Sequence, residues 1–236
     1  MRILSKIFVI SFVTICNTIF SQQKIGNKCE NILLEYLNSM EVVKSPTKNQ
    51  VYHIHYTTNT IFFQGKGLPN VSTETDILIG ENKIVIEDNN MKVYGDDKHM
   101  FVVLPKAKTI YWNKSDVTVY EQSNSHQKFL DVERVLLKTS KDIKCLSNNN
   151  VSVIPSDEFK KNIGLIEQNI KLDLNKKRVS SVENIYNSKS KIKRQVVDYA
   201  VVNYNSSKKI KKSTDYIFNG TSLLSVYEGY EIVDNR

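Results

Sequence analysis

The chain has 236 residues, a formal charge of +8, and side chains that are 40% hydrophobic and 25% charged. That balance excludes a disordered chain, and the length suits one domain with a real core. The sequence contains no Gly-rich phosphate loop, G-x-S-x-G elbow, H-E-x-x-H pair or Cys/His quartet, so it offers no catalytic residues, no cofactor site and no metal centre, and the expectation is a non-enzyme.

Residues 1–21 read as a secretory signal: Arg2 and Lys6 give the positive start, Ile7–Ile15 the apolar stretch, and Ser21 precedes a cut at Gln22. The apolar stretch is short for a membrane span, so 22–236 is expected as one exported soluble domain. Cys16 follows Ile15, where a lipidation box wants a small residue; the simpler reading is loss with the signal. Cys29 and Cys145 then remain, either as one disulfide or as two separate thiols. Lys28–Val43 carries Ile32, Leu33, Tyr36, Leu37 and Met40 at helical spacing. Val51–Thr58 alternates as a strand, with Tyr52, Ile54 and Tyr56 opposite His53 and His55. Two histidines at i and i+2 share a face, but no third ligand can be assigned, and surface histidines are the simpler reading. Ile61–Asn70 reads as a loop or irregular edge.

Thr75–Trp112 is the most informative stretch. Turn residues split it into short runs rich in Ile, Val, Tyr and Phe, the signature of an antiparallel meander. A two-residue turn at Asn89-Asn90 pairs Asp88 with Met91 and Ile86 with Val93. Four-residue loops at Gly80–Lys83 and Gly95–Lys98 pair Ile79 with Ile84, Ile77 with Ile86, Val93 with Met100, and Met91 with Val102. One face then collects Ile77, Ile79, Ile84, Ile86, Met91, Val93, Met100 and Val102. The opposite face starts polar, at Glu74, Asp76, Lys83, Glu87 and Lys92, and turns apolar at Phe101, Val103, Ile110 and Trp112.

A second helix is expected over Ser125–Lys138, with Phe129, Val132, Leu136 and Leu137 on its apolar stripe. Strands follow at Ile143–Leu146 and Val151–Ile154, then a helical turn capped at Ser156 and ending by Ile163. The last third reads as another meander: Ile170–Leu174, Val179–Tyr186, Val196–Tyr204, Asp215–Phe218 and Tyr230–Val233. Val196–Tyr204 is apolar on both faces and suits a central strand. Lys171–Asp215 holds 12 Lys/Arg against 4 Asp/Glu. Alternate turns of a meander share an end, so Lys176, Lys177 and Arg178 are expected near Lys208, Lys209, Lys211 and Lys212, either as solvated turns or as a patch for anionic headgroups or an acidic partner. Nucleic acid is not expected, since no recognition helix or RNA-binding aromatic motif is present.

Gly95–Trp112 (GDDKHMFVVLPKAKTIYW) and Tyr227–Arg236 (YEGYEIVDNR), with the order of signal, helix, meander, helical excursion and meander, resemble the LolA-like family of periplasmic lipoprotein carriers. The resemblance implies an α+β fold: a strongly curved antiparallel sheet, or incomplete β-barrel, with helices covering the concave face. It also implies an apolar cavity that holds acyl chains in transit to the outer membrane, lined by the eight aliphatic residues and closed by a lid containing Phe129, Val132 and Leu136. Membrane-bound donor and acceptor proteins, a periplasmic location and a monomer go with it. The inner positions here are Ile, Val and Met, with none of the family's latching arginine. A lipoprotein sensor of the same fold, or a cavity-less structural β-domain, are the alternatives.

Overall fold

The computed structural model describes residues 46–65, 67–115, 135–176 and 178–236. The residues expected as a secretory signal, Cys16, Cys29, the residues expected as a helix over Lys28–Val43, Phe129, Val132 and Lys177 lie outside the described residues.

Two meanders share one open, curved sheet of 12 strands. The first comprises β1 (Tyr52–Phe62), β2 (Val71–Gly80), β3 (Lys83–Glu87), β4 (Lys92–Gly95), β5 (His99–Leu104) and β6 (Thr109–Lys114). The second comprises β7 (Asp142–Ser147), β8 (Asn150–Ile154), β9 (Leu165–Asp173), β10 (Arg178–Tyr186) and β11 (Ile192–Asn203). The long β1–β11 pairing, from His53↔Asn203 to Phe62↔Ile192, welds them together. β11 is thus an interior strand, as its two-sided apolar run predicts. Register shifts that leave Ala200, Lys193, Ser180, Ile166 and Leu146 as the extra residues add local twist.

Turn chemistry sets the register of the first meander. Asp88 Oδ1 accepts from the Asn90 and Met91 N–H groups at 2.6 and 2.8 Å, closing the expected turn. Asp96 repeats the device one turn later, accepting from Lys98 and His99 at 2.9 and 3.0 Å. That second turn is tighter than a four-residue loop: Val93 faces Val102 and Gly95 faces Met100. The correction is a two-residue shift, which leaves every side chain on its expected face.

Call the face of the eight aliphatic residues the front. Register carries it across the whole sheet: Ile77↔Ile54↔Val202, and further on Val197↔Val182↔Ile170↔Val151. On the β8–β10 half, Val151, Val153, Ile170, Leu172, Val179 and Val182 are buried together with Leu136. Leu136, 1% exposed, comes from a helical turn at 135–139, the end of the helix expected there. The helical turn after Ser156 is also present, as Asp157–Asn162.

The back face differs. On the β2–β6 half, Leu78, Val85, Tyr94, Phe101, Val103 and Ile110 form a second core with Ile217 and Tyr227 of the C-terminal segment. Here the fourth strand expected in the last third is corrected. Asp215–Phe218 is no long strand: Ser213–Tyr216 is a 3-10 turn, followed by the two-residue β12 (Phe218–Asn219) and β13 (Ser222–Leu223). Tyr230–Val233 becomes β14 (Glu231–Asp234), which pairs in parallel with β6 at the far edge of the sheet. The reason is capture by the back face. The Asp96 carboxylate accepts from the Ser213 N–H and hydroxyl at 2.8 and 2.7 Å. Tyr216 stacks on Tyr94 at 4.5 Å, and Phe218 meets Phe101 and Trp112 at 5.9 and 5.4 Å. Aromatic burial of this size outweighs strand propensity.

Candidate ligand-binding face

Six aliphatic side chains stand opposite one another across six adjacent strands on the front: Val102, Val93, Ile86, Ile77, Ile54 and Val202. At strand spacing this row is about 24 Å long, the scale of an extended long acyl chain. Alternation within each strand puts these residues there, and neighbouring rows add Met100, Ile84 and Ile79. Of the eight predicted residues, Ile84 is buried at 6% exposed; Ile77, Ile79, Ile86, Met91, Val93, Met100 and Val102 are half-buried. The structure therefore brings all eight to one face. Leu136 lies on the same face of the sheet but over the β8–β10 half.

A hollow of about 920 Å³ opens at the β1–β2 connection, lined by Ile61, Phe62, Phe63, Leu68, Pro69 and Lys193 among others. Gly65 and Gly67 turn this loop with φ of 84° and 68°, a left-handed backbone that glycine adopts without strain. The sequence reading of an irregular segment fits from Phe63 onward, while Ile61 and Phe62 extend β1.

His53 and His55 belong to the back face. His53 Nε2 lies 2.6 Å from Asp76 Oδ1, and His55 Nε2 lies 3.0 Å from Glu74 Oε1. Lys208 donates to Asp76 Oδ2 at 3.2 Å, tying the start of the C-terminal segment to β2. Burial raises the Asp76 pKa, but hydrogen bonds and charge from His53 and Lys208 more than offset it and hold the carboxyl below its ordinary range. Among the described residues, no group of three His, Cys, Asp or Glu is placed to hold a metal ion.

Of the basic residues expected as one patch, Lys176, Arg178, Lys208 and Lys211 each have a partner of their own. Lys176 lies 3.8 Å from Asp173, and Arg178 donates to the Ala200 carbonyl at 3.1 Å, near the C-terminal end of β11. Lys208 folds back from that same end onto Asp76, Lys211 sits 5.9 Å over the Tyr216 ring, and Lys209 and Lys212 are exposed. Cys145, on edge strand β7, is disulfide-bonded, with its partner outside the described residues.

The back-face core at Leu78, Val85 and Tyr94 is missing from the sequence reading. Its signal is present in Ile77-Leu78-Ile79 and Ile84-Val85-Ile86, where unbroken apolar triplets put apolar side chains on both faces of a strand.

No protein-family profile matches the chain, and neither does any curated protein. Solved structures similar to it include an uncharacterized conserved protein from Thermus thermophilus, at 5% identity and TM-score 0.39, covering 88% of this chain and 99% of that one. A LolA superfamily protein from Nitrosomonas europaea is similar at 7% identity and TM-score 0.28, covering 80% and 98%. A putative outer membrane lipoprotein-sorting protein domain from Vibrio parahaemolyticus is similar at 9% identity and TM-score 0.30, covering 78% and 95%. Likenesses at this level assign neither a family nor an activity, and the chain's own residues carry the functional reading.

Proposed function

We propose that this protein is a non-catalytic carrier that holds the acyl chains of a lipid or lipoprotein on the front face of its sheet. The carrying observation is an asymmetry: over β2–β5 the back face is sealed by the protein's own C-terminal segment, while the front keeps seven of its eight aliphatic side chains only half-buried. Each methylene laid on that surface and withdrawn from water contributes about 0.8 kcal/mol. A few suffice for useful affinity, and partial coverage keeps binding reversible. Met91 and Met100 suit the task because an unbranched thioether adapts to irregular chains. In this reading the helices expected over Lys28–Val43 and Ser125–Lys138 cover the concave front. The periplasm is the compartment, and delivery runs toward the outer membrane between membrane-bound donor and acceptor proteins.

Native mass spectrometry of protein purified from an exporting host tests this. Co-purified lipid or lipoprotein, lost in an Ile86→Asp/Val93→Asp variant that keeps its circular dichroism spectrum, is the expected outcome. A ligand-free wild type that also fails to extract lipid from vesicles would overturn it.

A further inference from the structure

One line across the front is polar. Gln168 on β9 faces Asn184 on β10, Asn184 faces Gln195 on β11, and Gln195 faces Thr60 on β1. Gln168 Nε2 donates to Asn184 Oδ1 at 3.0 Å, and Gln195 Nε2 lies 3.4 Å from Thr60 Oγ1, so these side chains project to the same side. At strand spacing the line is about 14 Å long. It is flanked two residues along each strand by Ile170, Val182 and Val197, and it ends beside Phe62 and the hollow at the β1–β2 connection. Gln168 is 4% exposed, and the other three are half-buried. A sheet that needed only core would place apolar residues here, because each buried amide must be matched by hydrogen-bond partners.

Resting on the lipid-carrying reading above, we propose that this line is a subsite for the uncharged carbonyl linkage that joins acyl chains to their head, an ester or an amide. Amides and a hydroxyl both donate and accept, and carry no charge, so they match an ester or N-acyl carbonyl better than a phosphate or ammonium. The chains then run from the line over the half-buried Val197 toward the aliphatic row. The same linkage occurs in a diacyl phospholipid and in a triacylated cysteine peptide.

The test compares ester-linked dioleoyl phosphatidylglycerol with its ether-linked analogue, which lacks only the carbonyls, and adds a tripalmitoyl-cysteine peptide. Wild-type protein should bind the ester lipid about five- to tenfold more tightly than the ether lipid, the effect of one or two hydrogen bonds. Asn184→Leu and, as the variant at a half-buried and weakly bonded position, Gln195→Leu should abolish that preference while leaving ether-lipid affinity unchanged. Weaker binding of the cysteine peptide by these variants, with phosphatidylglycerol unaffected, identifies a lipoprotein as the source of the linkage; the reverse identifies a membrane lipid. Equal wild-type affinity for ester and ether lipids, together with no change in peptide binding by either variant, overturns the subsite and leaves the carrier reading standing. Failure to bind any of the three probes overturns both.

Discussion

Val85 and Ile86 are neighbours in β3 and point to opposite sides of one sheet. Val85 is 4% exposed in a core that the C-terminal segment closes with Ile217, Tyr216 and Tyr227, whereas Ile86 lies half-buried in the aliphatic row. The same split recurs in β5, where Phe101 is fully buried and Met100 and Val102 are not. The back is rich in aromatic rings whose edges and faces interlock, while the front is aliphatic and methionine-bearing. In the proposed carrier, stability and ligand capacity fall on opposite sides of the same strands, so a change on one side should leave the other's property intact.

The largest break in that comparison should come from the same charge introduced separately on each side. Val85→Asp buries an unpaired carboxylate and is expected to cost on the order of 4–5 kcal/mol, enough to unfold a marginal domain. Ile86→Asp should retain a cooperative thermal transition and lose bound lipid. If both unfold, the front is core like the back. Next, Phe101→Ala should lower the unfolding free energy in urea by about 3–5 kcal/mol, against less than about 1.5 kcal/mol for Val102→Ala, whose side chain is half-buried. Similar values for the two would erase the distinction.

A smaller and pH-dependent effect belongs to Asp96, which holds the C-terminal segment at Ser213. Burial would raise its pKa, but the Ser213 hydroxyl and the N–H groups of Lys98, Ser213 and His99 more than offset this and keep it below the ordinary carboxylate range. A depressed folded-state pKa adds stability that is present above the unfolded value, near 4, and is lost as pH falls through the folded one. Asp96→Asn should therefore cost about 1–3 kcal/mol at pH 7, and the gap to wild type should narrow in urea titrations at pH 3. A gap constant with pH would mean the charge is not what matters. The smallest effect is expected at Lys208→Ala, which removes a partly exposed ion pair with Asp76 and should change stability by at most about 1 kcal/mol without altering lipid binding.

Much of this was written locally. Alternation put Ile77, Ile79, Ile84, Ile86, Met91, Val93, Met100 and Val102 on one face, and Asp88 and Asp96 fixed turns whose chemistry involves only the next two or three residues. Even the misplaced Val93–Met100 pairing kept its face, because side-chain direction depends on parity alone. Tertiary structure decided what local pattern cannot carry. It paired β1 with β11, some 140 residues apart in the chain, and so joined two meanders into one sheet. It drew Tyr216, Phe218 and Tyr227 onto the back, sending β14 to the opposite edge beside β6 rather than onto the end of the second meander. It also aligned Gln168, Asn184, Gln195 and Thr60, residues separated by two strand turns and the β1–β11 weld. Periodicity names the side of a strand on which a residue stands; which side another segment covers is settled only by the burial gained when distant parts of the chain meet.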